Sequence, residues 1–310
     1  MANQHNKTAQ TPQNLAPNFA AYELIDSGGG EKLERFGTQI ISRPEPQAIW
    51  PKAMPQSQWD ALAVARFEKG AGDKSSRHAD EWGRWVLKPQ AQQQWHITYD
   101  GLSRPLTMRL GLTSFKHVGI FPEQAANWDF VYDAVSAIGS SARVLNLFAY
   151  TGGASLAAAA AGASVTHVDA VRPVVTWARE NMETSGLEGV RWIVDDAQKF
   201  VGREVRRGSR YNGIVLDPPA YGRGPDGEKW LIERHLYALL EQCAQLLTTD
   251  APGFVVLNLY SLGYSPIIAK NMINSAFGAS QWVDYGELFV TDAAKRSLPL
   301  GVYARTKTNC

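Results

Sequence analysis

At 310 residues, 45% of them hydrophobic, the chain has the size and apolar content for one large α/β domain and a smaller partner. A formal charge of +1 neither demands nor excludes a polyanionic partner, so any such surface must be local. Two distant cysteines, Cys243 and Cys310, exclude a disulfide framework and point to a reducing cytoplasm, and no apolar run reaches the roughly 18 residues of a membrane span.

The opening "MANQHNKTAQTPQNLAPNFA" lacks the apolar segment of a signal peptide and has the composition of a disordered tail over residues 1–20. Residues 21–112 read as a β-rich N-terminal domain. "YELIDSGGGEKLERFGTQIISRP" suggests two short strands around a Gly-rich turn, and "WHITYDGLSRPLTMRL" a hairpin about Asp100-Gly101. The polar stretch 70–81 between them is expected as a loop. Trp50, Trp59, Trp82, Trp85 and Trp95 are expected in the core rather than as stacking platforms.

From residue 127 the rhythm becomes helix and strand in alternation. Helices are predicted over 127–138, after Gly153, over 171–185, before residue 213, and over 230–247 and 266–277. Strands are predicted over 143–147, 164–169, 190–194, 213–217, 253–260, 282–290 and 301–306. This pattern argues for a mostly parallel sheet covered on both faces, with ligands outside the carboxyl ends of the strands.

Three strand ends describe one ligand. In "VLNLFAYTGGASLAAAAA", the turn from Asn146 through Thr151, Gly152 and Gly153 lets a ligand approach the backbone in front of a helix N-terminus; an ordinary βα turn is the alternative. Asp169, ending "THVD", is placed to accept from ribose hydroxyls, or to cap the next helix. Asp195 and Asp196 in "WIVDDAQKF" close the third strand, where an acid or the adjacent backbone reads an adenine amino group, one of the two being an N-cap. Together they say adenosine. The absence of G-x-G-x-x-G and of a phosphate-binding lysine motif argues against NAD and ATP.

"NLFAYTGG", "HVDA", "VDDA" and "LDPPAY" stand in the order of motifs I to IV of class I S-adenosylmethionine-dependent methyltransferases, which residues 145–219 resemble. Their wording is similar to the bacterial large-subunit ribosomal RNA methyltransferases, the group with cytosine-C5 and guanine-N7 enzymes, and "FKHVGIFPEQ" resembles that group's segment over the cofactor. The resemblance implies a Rossmann-like seven-stranded α/β sheet over 113–310 and S-adenosylmethionine as cofactor. It implies cofactor contacts at Lys116, Phe121, Phe148, Tyr150, Thr151, Gly152, Asp169, Asp196 and Asp217, with Asn146 and Gly153 in the same turn. The N-terminal half departs from the group, whose members often carry a basic RNA-binding domain of the pseudouridine-synthase-associated type.

In "GIVLDPPAYGRGP", Asp217, Pro218, Pro219 and Tyr221 are the candidate catalytic residues. Two prolines stiffen the strand end and offer carbonyls as fixed acceptors, and Tyr221 offers a stacking face to a base. Cytosine-C5 transfer needs a thiolate, which the related enzymes place after strand five. Here that stretch reads Asn258, Leu259, Tyr260, Ser261, and Cys243 lies on an apolar helix stripe. Direct transfer to a base nitrogen, or to a non-base acceptor, fits better. Arg223, Lys229, Lys295 and Arg296 are candidate substrate contacts at the active edge. Lys199, Arg203, Arg206, Arg207 and Arg210 read as a solvated helix face at the opposite end of the sheet. No His cluster suggests a metal. Ribosomal RNA is the expected acceptor, with a small molecule or protein side chain, or a non-catalytic cofactor-binding RNA module, as alternatives.

Overall fold

Short apolar runs bounded by glycine and proline become strands, and the alanine-rich or amphipathic stretches between them become helices. The computed structural model describes residues 11–70, 83–260, 263–278 and 282–308. Its N-terminal part comprises β1 (Tyr22–Gly28), β2 (Glu31–Phe36), β3 (Gln39–Pro44), α1 (Gln56–Leu62), β4 (Ala65–Lys69), β5 (Gly83–Leu87), β6 (Gln94–Tyr99) and β7 (Leu106–Gly111). The chain continues with α2 (Ala125–Ile138), β8 (Arg143–Leu147), α3 (Gly153–Ala160), β9 (Ser164–Asp169), α4 (Arg172–Thr184), β10 (Val190–Val194) and α5 (Ala197–Arg206). It ends with β11 (Gly213–Leu216), β12 (Tyr221–Arg223), β13 (Lys229–Leu231), α6 (Ile232–Leu246), β14 (Gly253–Leu259), α7 (Pro266–Phe277), β15 (Val283–Thr291) and β16 (Ser297–Thr308).

The large sheet has the order β10-β9-β8-β11-β14-β16-β15, parallel except for β16. Alternate residues of its central strands feed two cores. Leu145, Ile214, Leu216, Val255 and Leu257 meet α5, α6 and α7, while Val144, Val215, Phe254 and Val256 meet α2 and α3. Strand order reverses between β8 and β11, which opens a crevice at their carboxyl ends.

The N-terminal part is a five-stranded sheet, β1-β2-β3-β4-β5, plus the β6–β7 hairpin. Where two strands were expected before Pro44 there are three, because Gly37 supplies a second left-handed turn (φ 60°). The hairpin docks on α4: Arg109 N donates to Asn181 Oδ1 at 2.8 Å and Trp177 Nε1 donates to Arg109 O at 2.9 Å. Trp59 and Trp95 are buried, as expected for core residues, whereas Trp50 and Trp85 are half-buried. Trp82, Cys310, residues 1–10 and most of the expected 70–81 loop lie outside the described residues.

The expected tail over 1–20 is corrected for residues 13–19, of which 13–15 lie along β15. Gln13 N donates to Tyr285 O and Leu15 N to Glu287 O, each at 2.8 Å, and Phe19 is buried against Tyr99 and Trp128. Apolar anchors at Leu15 and Phe19 outweigh a polar composition. Gly286 permits the approach, since a Cβ there would stand 1.7 Å from Gln13 O. Gly286→Ala is therefore expected to displace residues 11–16, costing roughly 3–7 kcal/mol for the five hydrogen bonds that residues 13–15 make to β15 and Tyr303. Faster proteolytic removal of the first residues would show it, with the rest of the fold retained.

Candidate active site

The turn after β8 winds through three left-handed residues, Phe148 (φ 54°), Tyr150 (φ 49°) and Gly152 (φ 96°). Left-handed backbone costs roughly 1–3 kcal/mol at a non-glycine residue, so the contacts it makes must offset that cost. Tyr150 N donates to Asp169 Oδ2 at 2.9 Å, Thr151 Oγ1 to Gly119 O at 2.6 Å, and Asn181 Nδ2 to Thr151 O at 3.0 Å. Gly153 opens α3 with its Cα against an indole: a Cβ would lie 2.6 Å from Trp128. Asn146 is fixed from behind by Ser155 Oγ (2.9 Å), itself 3.0 Å from His167 Nδ1.

This turn, the end of β11 and the 119–124 segment enclose an open cavity of about 450 Å³ including its mouth. Four aromatic side chains line it (Phe121, Trp128, Phe148 and Tyr150) along with one carboxylic acid, Asp217, and no basic residue. Nothing among the described residues donates to the Asp217 carboxyl, and burial pushes it up to about 7. Aromatic faces and one acid suit a cation, not a phosphate. Asp169 stands behind Tyr150, its Oδ1 accepting from Val171 N at 2.9 Å. Each of its oxygens keeps a lone pair for a neighbouring hydroxyl. Its burial raises its pKa against the opposing pull of three backbone N–H groups. The residues present thus fit a nucleoside joined to a positively charged group.

Of the residues singled out in sequence, Asn146, Phe121, Phe148, Tyr150, Thr151, Gly152, Gly153 and Asp217 come together around this cavity. Asp196 is an N-cap, accepting from Lys199 N at 2.9 Å through one oxygen, with the other uncommitted among the described residues. Asp195 pairs with Arg203 instead. Lys116 faces a neighbouring cavity, not this one. Sequence reading did not single out Gln124, Trp128 and Asn258 as lining residues. The apolar pattern of α2 hid Trp128, and Asn258 ends a buried strand, where an amide is the visible signal.

Four expectations are corrected. The Pro219 carbonyl is not left for a substrate, because Trp230 Nε1 donates to it at 2.7 Å. Tyr221 begins the β12–β13 hairpin and lines neither cavity; its hydroxyl accepts from Arg223 Nε at 3.1 Å. Arg296 is a structural anchor rather than a substrate contact: it bonds Asp26, Asp292, Ser27 O and Pro51 O, because β15 and β16 run on past the sheet edge to pack on β1. Lys199 begins α5 at the ligand edge, where it pairs with Asp226 and Glu228 of the hairpin loop. Lys295 is exposed in a left-handed turn (φ 66°) beside Arg296, and Arg223 and Lys229 are exposed on the hairpin.

A small neighbouring cavity, with room for about one water, lies between β2–β3 and residues 116–123. It is unusually charged for so buried a place. Glu34 accepts from Arg43 through both oxygens (2.5 and 3.0 Å) and lies 3.5 Å from Lys32, which also pairs with Glu45 at 3.3 Å. Those cations hold Glu34 down to about 2 despite its burial. Arg43 also donates to Lys116 O at 3.3 Å, tying the N-terminal sheet to the 116–123 segment.

Residues 75–281 match the family model of the S-adenosylmethionine-dependent methyltransferases. A SAM-dependent methyltransferase structure from Agrobacterium tumefaciens is 39% identical, with a TM-score of 0.85 over 96% of this chain and 93% of that one. A Streptococcus mutans structure at 17% identity and TM-score 0.69, covering 93% of this chain and 75% of that one, shares the fold. Ribosomal RNA large subunit methyltransferase K/L of Shewanella frigidimarina is 32% identical over 46% of this chain and 20% of its own length. The Magnetococcus marinus protein of the same name is 29% identical over 54% of this chain and 24% of its own length. The chain thus spans about a fifth to a quarter of those curated relatives. With the sheet order, the cation-fitted cavity and the family match in agreement, the chain belongs to the S-adenosylmethionine-dependent methyltransferases, and S-adenosylmethionine is its cofactor.

Proposed function

We propose that this methyltransferase acts on RNA, with large-subunit ribosomal RNA as the first substrate to test, at a base nitrogen and by direct in-line transfer. The observation that carries the choice of atom is the Asp217 carboxyl, which lines the cofactor cavity without a partner among the described residues and can accept from an acceptor N–H. No thiol lines either cavity among the described residues, and Cys243 is buried in the core, its pKa driven well up by burial. Covalent activation of a ring carbon therefore has no support here. RNA is supported by the printed names of the K/L relatives. A cytoplasmic place of work fits that substrate; no helix among the described residues is long and apolar enough to cross a membrane.

When bound, the cofactor supplies an electrophilic methyl group on a sulfonium. Asp169 would hold its ribose hydroxyls, Asp196 and the adjacent backbone its adenine, and the Gly152-Gly153 turn its amino-acid end. Phe121, Trp128, Phe148 and Tyr150 would shield the positive charge from water. Asp217 and Pro218, on a strand end stiffened by Trp230, would orient the acceptor, with Arg223 and Lys229 on the β12–β13 hairpin as candidate contacts to its phosphates.

Label from methyl-labelled S-adenosylmethionine is expected to enter ribosomal RNA from a strain lacking the gene, and not RNA from its parent, where the site is already filled. Label confined to protein or small metabolites would overturn the RNA assignment and favour a small or side-chain acceptor.

A further inference from the structure

Asp217 and Asn258 line the cofactor cavity from neighbouring strands. Each follows one of the paired residues Leu216 and Leu257 of β11 and β14. Both side chains therefore leave the sheet on the face of Val215 and Val256, from strands about 5 Å apart. That face packs on α2, whose first turn carries Asn127.

Arg305 decides which way the amides there turn. It is held on β16 by Asp284, through Nε and Nη2 at 2.7 Å each, and its Nη1 donates to Ala126 O at 3.1 Å and Asn127 Oδ1 at 3.3 Å. A guanidinium only donates, so the Asn127 oxygen faces it and the Asn127 amino group faces away. That amino group donates to Asn258 Oδ1 at 2.9 Å and to Gln124 Oε1 at 3.1 Å. With its oxygen committed, Asn258 turns Nδ2 toward the cavity, where no group among the described residues accepts from it. Asn258 is 4% exposed, and a buried N–H donor without an acceptor calls for a ligand that brings one.

Sheet order says which ligand. The residues assigned to the cofactor follow β8, β9 and β10, on one side of β11, whereas β14 lies on the other. Asn258 thus stands beyond Asp217 from the adenosine, on the side where in-line displacement needs the acceptor.

We propose that Asp217 and Asn258 form a two-point clamp on the acceptor. The Asp217 carboxyl accepts from the nitrogen to be methylated, and Asn258 Nδ2 donates to an oxygen or ring nitrogen one carbon away from it. Asn258 is the specificity-determining residue, and Asn127 and Arg305 are positioning residues that act through it. The substrate class is an amide or amidine edge, N–H beside C=O or C=N, which nucleobases and carboxamides present. An alcohol or thiol acceptor offers no such pair. The inference rests on the reading of Asp217 as the group that meets the acceptor N–H, and not on RNA.

Asn258→Ala and Asn127→Asp test it on ribosomal RNA from the strain lacking the gene, with labelled S-adenosylmethionine. The first removes the donor. The second keeps the side chain's shape, but its carboxylate accepts from Asn258, which turns that amide over and presents oxygen where nitrogen stood. Each is expected to bind S-adenosylhomocysteine within threefold of wild type by calorimetry, and to lose kcat/KM for the RNA by roughly 10–10²-fold. The double variant should lose no more than Asn258→Ala alone, because the two residues act through one bond. Side-chain amide NMR of the S-adenosylhomocysteine complex needs no acceptor. The Asn258 NH2 protons should exchange with water quickly in wild type and slowly in Asn127→Asp.

Losses under threefold in both single variants, losses that multiply in the double variant, or Asn258 NH2 protons already protected in wild type overturn the clamp. So does tenfold weaker S-adenosylhomocysteine binding by Asn258→Ala, which moves Asn258 to the cofactor. Digestion of the labelled product separates this failure from that of the reading beneath it. Methyl on a ribose oxygen or a ring carbon removes the Asp217 contact itself, whereas methyl on a base nitrogen with Asn258→Ala at the wild-type rate removes only the clamp. Label on a protein carboxamide removes RNA and supports the clamp, and the variants are then compared on that protein.

Discussion

Arg296→Ala is expected to lower the unfolding free energy by about 3 kcal/mol, measured by urea denaturation. Arg296 reaches Asp26 at 2.5 Å, Asp292 at 2.9 Å, Pro51 O at 2.6 Å and Ser27 O at 2.7 Å. Asp26 and Asp292 are 1% and 2% exposed, and Ser27 Oγ donates to Asp292 at 2.8 Å. Removing the guanidinium leaves two buried carboxylates without their counter-ion, which costs roughly 3–5 kcal/mol in comparable pairs. The lower figure applies because Asp26 keeps Trp59 Nε1 at 2.7 Å and Met54 N at 2.9 Å as donors. Arg296→Lys should recover only a minority of the loss, since an ammonium cannot span four acceptors in the guanidinium's plane. A loss under about 1 kcal/mol would show that this junction holds the N-terminal sheet less tightly than its contacts indicate. Turnover of the folded variant, by contrast, should be little changed, which separates an anchor from a substrate contact.

Asp169→Asn is expected to weaken cofactor binding by about 10²-fold while leaving stability within about 1 kcal/mol. Hydrogen bonds to charged groups contribute roughly 1.5–3 kcal/mol each, and an amide offers one acceptor oxygen where the carboxylate offers two. The stability half follows from the sign of the pKa shift. Burial raises the folded-state pKa of Asp169, so ionisation at neutral pH opposes folding rather than favouring it. Neutralising the group removes that opposition and offsets the lost bond to Tyr150 or Val171 N. Calorimetry with S-adenosylhomocysteine and urea unfolding of the same sample measure both halves. Affinity within threefold of wild type would remove Asp169 from the ribose site.

The ligand edge was legible because the parallel strands are buried on both faces. Runs such as "GIVL" and "VVLNL" stay apolar until they reach solvent or ligand, so a polar residue at their ends stands out. Asp169, Asp196 and Asp217 were visible for that reason. The N-terminal sheet hid its nature because β2 buries Lys32 and Glu34 as ion pairs, and buried charges read in sequence as a solvent-facing strand. Arg296 was misread because its partner Asp26 is 270 residues away, a distance no spacing rule spans. The Pro219 carbonyl failed for a local reason: Trp230, read as the first residue of a helix, instead closes a hairpin back onto the proline turn.

Residues 13–15 occupy the open flank of β15, the last strand of the large sheet, with Leu15 bridging Leu288 in parallel. An unprotected strand of nine residues with buried apolar side chains would be a template for another molecule's backbone. The segment that looked most dispensable in sequence therefore works as a guard against self-association. A preparation that begins beyond it should keep its fold, yet become aggregation-prone at concentrations where the longer chain stays dispersed.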